Sequence, residues 1–254
     1  MAAVCEFDRL FTKRVPHIHE KIFFSLDYKS FKNCLEVSKP WNDMLTTESF
    51  LRKGKSVFCK DIKKDLLRAA KRGNVDLIRK VLSIFLVDIN FMTKRNTNPL
   101  MLAAKNNHKD VVYLLLDRGA EPNMADQDGN TPLHEAANEG HKDVVQLLLD
   151  GGAEPNRADQ DGWTPLHDAA DEGHKDVVQL LLDGGAEPNM AEQSGDTPLH
   201  RASLEGHKVV VQLLLEKGAE PNMATLVGIT PLSCAIERGH TEIANILREN
   251  RGTV

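Results

Sequence analysis

The apolar positions of this chain recur in blocks. The run Val-Val-x-Leu-Leu-Leu stands at 111–116, 144–149, 177–182 and 210–215, each 33 residues after the last. Inside a block the apolar residues lie three and four apart, which places them on one face of a helix. In the block that starts at Thr131 the pattern predicts a short helix with Leu133, Ala136 and Ala137 on one side. Thr131 can cap it, Pro132 suits its first position, and Gly140 stops it. A second helix starts near Lys142. It is expected to bury Val144, Val145, Leu147, Leu148 and Leu149 and to end at Gly152. Residues 154–162, Glu-Pro-Asn-Arg-Ala-Asp-Gln-Asp-Gly, read as turn and extended chain with Gly162 at a hairpin-like tip.

The polar punctuation keeps the same period. Thr-Pro-Leu-His starts at Thr131, Thr164 and Thr197, Thr-Pro-Leu-Ser at Thr230 and Asn-Pro-Leu-Met at Asn98. Gly-His recurs at 140–141, 173–174, 206–207 and 239–240, and Gly-Ala-Glu-Pro-Asn at 119–123, 152–156, 185–189 and 218–222. One helix–turn–helix cannot bury its own apolar face, whereas a stack of them can. Period, tetrad, Gly-His and Gly-Ala-x-x-Asn together resemble the ankyrin repeat. The resemblance covers 98–252 and implies an all-α solenoid of helix–turn–helix units joined by hairpin-like loops. Residues 65–90 keep Ala69, Ala70, Gly73 and a face of Leu77, Ile78, Val81 and Leu82, and read as a degenerate first repeat. The last repeat sets Glu242, Asn245, Arg248 and Glu249 where earlier repeats are more apolar, and reads as a polar cap. About six repeats are expected over 62–252.

The front of the chain follows another pattern. Pro16 can open a helix with Ile18, Ile22 and Leu26 four apart and Phe23 beside them. Asp27 or Ser30 can cap a second helix showing Phe31, Cys34 and Leu35, and Ser38 a third showing Trp41, Met44 and Leu45. Three short helices cannot cover these side chains by themselves. The first repeat or another protein must do so. The order Val15-Pro16, Ile22-Phe23, Leu26-Asp27, Ser30, Val37-Ser38-Lys39 and Trp41-Asn42 resembles the F-box. It departs from that pattern in lacking an acidic residue after Pro16 and in a first helix one residue short. The resemblance implies docking to the Skp adaptor of cullin–RING ubiquitin ligases through Pro16, Ile18, Ile22, Phe23, Leu26, Leu35, Val37, Trp41 and Leu45. The expected organisation is a tail at 1–13, a three-helix F-box-like segment at 14–52, a basic linker at 53–61 and the repeat array at 62–252.

Composition agrees with a folded chain: 41% of the 254 residues are hydrophobic and 27% charged. No apolar run is long enough for a membrane span, and the N-terminus lacks the apolar core of a secretory signal. Four widely spaced cysteines without a Cys-x-x-Cys pair give no disulfide framework and no zinc pattern. They suit a reducing compartment, cytoplasmic and/or nuclear. Charge divides the chain. Residues 1–60 hold 11 Lys and Arg against 7 Asp and Glu, and the remainder 21 against 30.

Eight of the ten histidines fall in the repeats, at the tetrad or in the turn. Metal ligands must converge on a point, and these are strung along an array, so they read as hydrogen-bonding residues. No metal, cofactor, catalytic cluster or phosphate loop is predicted, and a non-catalytic binding protein is expected. In ankyrin proteins partners touch the hairpin tips and the inner face of the first helix. The resemblance therefore nominates Asp128, Asn130, Glu139, Asp161, Trp163, Asp171, Glu172, Leu204, Leu226 and Ile229. An acidic centre with one tryptophan favours a protein substrate with a basic segment and repels nucleic acid. Glu-Pro-Asn at 154–156 resembles a site of asparagine hydroxylation, though a structural turn asparagine accounts for it more simply. Two functions follow from these readings. One is the substrate-recognition subunit of an SCF-type ligase. The other is a stand-alone ankyrin scaffold or inhibitor whose front helices only cap the array.

Overall fold

The computed structural model describes residues 62–84, 87–94 and 96–250. The tail, the linker and all nine residues nominated for adaptor docking, Pro16 to Leu45, lie outside the described residues. Every regular element among those described is a helix. They are α1 over 62–72, α2 Val75–Ile84, α3 Pro99–Lys105, α4 Lys109–Asp117, α5 Pro132–Asn138, α6 Lys142–Asp150, α7 Pro165–Asp171, α8 Lys175–Asp183, α9 Pro198–Glu205, α10 Lys208–Glu216, α11 Pro231–Glu237 and α12 Thr241–Glu249.

Two compact units divide these residues. The first includes 62–68, 76–84 and 87–88, with Ile62, Leu66, Ile78 and Val81 buried. The second includes 69–75, 89–94 and 96–250. The division falls inside the degenerate first repeat.

In the second unit each first helix packs on the first helix of the next repeat, and each second helix on the next second helix. Residue size explains the spacing. Ala103 and Ala104, Ala136 and Ala137, and Ala169 and Ala170 are fully buried between first helices. Side chains this small let the helices approach closely. The second helices bury Val144, Val145 and Leu148, Val177, Val178 and Leu181, and their copies. Each such aliphatic contributes about 1.5–3 kcal/mol on burial. Leu147 and Leu149, expected in the core, are only half-buried. They sit on the flanks of α6. A β-carbon at Gly184 of the next repeat would lie 3.0 Å from Leu149 Cδ1, so Leu149 covers a neighbouring turn instead of the core.

Gly140 stops α5 as expected, at φ +72°. Glycine is needed there twice over, because a β-carbon would lie 2.7 Å from the His174 ring of the following repeat. The polar cap is present too: Glu242, Asn245, Arg248 and Glu249 are exposed while Ile243, Ala244 and Leu247 are buried.

Candidate protein-binding face

The repeated histidines tie the array together. Thr131 N–H donates to His134 Nδ1 at 3.1 Å, and the His134 Nε2–H reaches the Trp163 carbonyl of the next repeat at 3.2 Å. A ring that accepts at Nδ1 and donates at Nε2 is neutral. His167 and His200 repeat the arrangement with the Asp196 and Ile229 carbonyls. Burial holds all three below the usual histidine range, His167 down to about 4. In the repeat that begins at Thr230, Ser233 takes the histidine's place. The turn histidines bind backwards: His141, His174, His207 and His240 donate from Nε2 to the carbonyls of Lys105, Asn138, Asp171 and Leu204. Among the described residues no group of three His, Cys, Asp or Glu side chains could hold a metal ion.

The turn asparagines are equally committed. Asn156 donates from Nδ2 to the Gly185 carbonyl at 2.9 Å and accepts from Glu187 N–H at 2.8 Å. Asn90, Asn123 and Asn189 hold the following repeat in the same way. This is the structural role that the turn reading requires of them.

The face formed by the hairpin tips and first helices carries the polar chemistry. Three tips are closed by an acidic residue, and the last by Thr225. Asp159 Oδ1 accepts from Asp161 N–H and Trp163 N–H, while Asp159 N–H pairs with the Trp163 carbonyl at 2.8 Å. Asp126 and Glu192 do the same in the flanking repeats. The nominated residues then separate into groups. Asp128 and Asp161 are exposed at tips and Asn130 is half-buried beneath one. Glu139 and Glu172 are exposed just after their first helices, and Leu204 is half-buried at the end of α9. Leu226 and Ile229 lie together on the last tip.

Trp163 and Asp171 are brought together by a residue not nominated from the sequence. The Arg201 guanidinium lies over the Trp163 ring at 5.0 Å and binds Asp171 Oδ1 through Nε at 2.8 Å and through its terminal nitrogen at 2.6 Å. Trp163 is half-buried in this stack, with the His167 ring 5.8 Å away.

Asp168, also not nominated, occupies the middle of the face. Two of the acids beside it are matched: Lys105 pairs with Glu135 at 2.7 Å and Arg201 with Asp171. Asp168 has no such partner, and its Oδ2 is buried without a hydrogen bond among the described residues. Burial, with Asp159, Asp171, Glu135 and Glu172 nearby, pushes its carboxyl up to about 8. A cationic side chain brought here from outside would meet an unmatched acid in a half-dry setting, where charge pairing is stronger than in water. A sequence signal for this position exists. The residue after each tetrad changes from repeat to repeat, through Leu102, Glu135, Asp168, Arg201 and Cys234, while its surroundings are nearly copied.

Comparison with known proteins agrees with this construction. The family model for ankyrin repeats matches residues 66–159, 114–192, 151–225 and 185–253. A stretch of 66 residues is 41% identical to rat (Rattus norvegicus) cortactin-binding protein 2, spanning 26% of this chain and 4% of that protein. Ankyrin repeats are protein-binding modules, and the described residues include no helix long and apolar enough to cross a membrane. The chain belongs to the ankyrin-repeat family.

Proposed function

We propose that this chain is the substrate-recognition subunit of an SCF-type ubiquitin ligase. Residues 14–52 dock the Skp adaptor, and through it a cullin–RING ligase, while the ankyrin face holds a protein substrate. The observation that carries the docking half is the residue order from Val15-Pro16 to Trp41-Asn42, set ahead of an ankyrin array. A receptor needs no catalytic residues of its own, because holding a substrate beside a charged enzyme supplies proximity. The unmatched Asp168 supports the binding half. A substrate Lys or Arg is its natural counter-charge, with Asp128, Asn130, Glu139, Asp161, Glu172 and Leu204 around it as further contacts.

Direct binding of the full chain to the Skp adaptor tests the docking half. The parent is expected to bind, and an Ile22→Ala, Trp41→Ala double variant of unchanged helicity is expected not to. A well-folded parent that ignores the adaptor would refute the ligase role. The second reading, a stand-alone ankyrin scaffold, would then stand. It is favoured by one observation, that the family matches begin at residue 66 and leave 14–52 outside them.

The binding half has its own signature. Asp168 holds a proton below pH 8, and a bound cation favours its release. Affinity for a Lys- and Arg-bearing substrate therefore rises with pH between 6 and 8, by up to about tenfold per unit. In Asp168→Asn that dependence disappears. Calorimetry in two buffers of different ionisation enthalpy reads the released proton directly, and a pH-independent parent would exclude Asp168 from the contact.

A further inference from the structure

The hairpin tips of the array are joined by a ladder of main-chain hydrogen bonds. Gln160 N–H donates to the Asp128 carbonyl at 2.9 Å, Gln193 N–H to Asp161 at 3.0 Å and Leu226 N–H to Ser194 at 2.9 Å. Each tip thus offers a carbonyl to an N–H of the next. The corresponding carbonyl on the last tip is that of Val227, which receives no hydrogen bond among the described residues. The space beside it is open as well. A β-carbon on Gly129, Gly162 or Gly195 would meet the next tip's backbone at 2.7, 2.9 and 2.8 Å, whereas one on Gly228 would meet nothing within 4 Å.

The side chains around this open edge change character. Gln127, Gln160 and Gln193 give way to Leu226, and Asp128, Asp161 and Ser194 to Val227. Leu226 is 82% exposed and Val227 80%. Ile229 lies beside them. Ile236 stands where Ala137, Ala170 and Ser203 are buried by a following repeat, and is 53% exposed. The apolar area stops there, because α12 turns Glu242, Asn245, Arg248 and Glu249 to solvent.

We propose that this edge binds an extended apolar segment of a partner protein, with a segment N–H on the Val227 carbonyl and aliphatic side chains against Leu226, Ile229 and Ile236. Three features select this occupant. The tip ladder already runs in this direction, so the segment continues an existing interface. Another repeat would need an apolar second helix to stack on, and α12 is polar. A second copy related by a two-fold axis would set Val227 carbonyl against Val227 carbonyl, acceptor facing acceptor. The inference deepens the binding role of the array by naming part of its substrate, and it is independent of adaptor docking.

The test is selection of a displayed hexapeptide library on the full chain, with Val, Ile, Leu or Phe at alternate positions and Ser, Thr or Lys between. The Leu226→Asp, Val227→Asp double variant serves for counter-selection. Both positions are exposed, so the variant keeps its helicity, which circular dichroism verifies. The expected result is a set of apolar-alternating peptides bound at least about tenfold tighter by the parent. An analogue of the best peptide with the amide that pairs with Val227 N-methylated should lose about tenfold. The proposal is overturned if no peptide distinguishes parent from variant, or if the N-methylated analogue binds unchanged. It also fails if sedimentation shows a parent dimer that the double variant abolishes, since a second copy would then be the occupant.

Discussion

Asp168 and the tetrad histidines titrate in opposite senses. Asp168 in the folded chain keeps its proton up to about pH 8, against an ordinary value of 3.8. Between these values the native state binds more protons than the unfolded chain. Its contribution is full below the ordinary value and is lost as pH rises through 8. Asp168→Asn removes this loss, so the variant should be more stable than the parent at pH 9 by about 1–3 kcal/mol, with the difference shrinking toward pH 4. The histidines act the other way. His167 must stay neutral down to about pH 4 where a free ring protonates near 6.5, so stability is lost as pH falls through that interval. His134 and His200 share the direction. In Asp168→Asn this slope is no longer opposed by Asp168, and unfolding free energy should drop by about 2 kcal/mol between pH 7 and 4.5. Urea unfolding of both proteins across pH 4.5–9 separates the two effects. A parent-minus-variant difference that stays flat would mean that Asp168 is ionised in the native state.

At the scale of elements, the joints between repeats depend on the asparagine clasp. Asn156→Ala strands the Gly185 carbonyl and the Glu187 N–H together, at an expected cost of about 1–2 kcal/mol. Asn156→Asp keeps the acceptor for Glu187 N–H but faces the Gly185 carbonyl with a second oxygen, so it should recover little. Thermal melts of both variants measure this, and an Asn156→Ala protein within about 0.3 kcal/mol of the parent would show that the clasp is dispensable. The helix pairs themselves were legible in the sequence, because cap, stop and apolar stripe recur at one period and each copy corroborates the others. Leu147 and Leu149 were not, since hydrophobicity alone does not say which flank of a helix the next turn covers. The site was legible only in outline. Tips and inner helices followed from the family resemblance. The Trp163–Arg201–Asp171 stack and the isolation of Asp168 depend on which side chains meet after residues some thirty apart come alongside. A single repeat contains none of that information.

For the whole array, the joints decide where it opens. α6 and α8 have identical sequences, Lys-Asp-Val-Val-Gln-Leu-Leu-Leu-Asp, so their repeats differ little in intrinsic stability. In a one-dimensional stack the interfaces then set the order of unfolding. Lysine–acid pairs link successive second helices: Lys109 to Asp143, Lys142 to Asp176 and Lys208 to Glu242. At the equivalent joint Lys175 would meet Val209, which is 50% exposed. One joint further, Ser203 takes the place of the buried alanines, and its Oγ has no hydrogen-bond partner among the described residues. The repeat that begins at Thr197 therefore has a weakened contact with the repeat after it, while Arg201–Asp171 and Lys217–Asp183 hold it to the one before. Hydrogen exchange of the native chain should show amides in α11 and α12 opening at lower free energy than those in α5–α10. Ser203→Ala removes the stranded hydroxyl for about 1 kcal/mol. This variant should raise exchange protection in α11 and α12 more than in α5–α10 and bring them toward a single transition. Equal protection throughout the parent would mean that this joint is as strong as the rest.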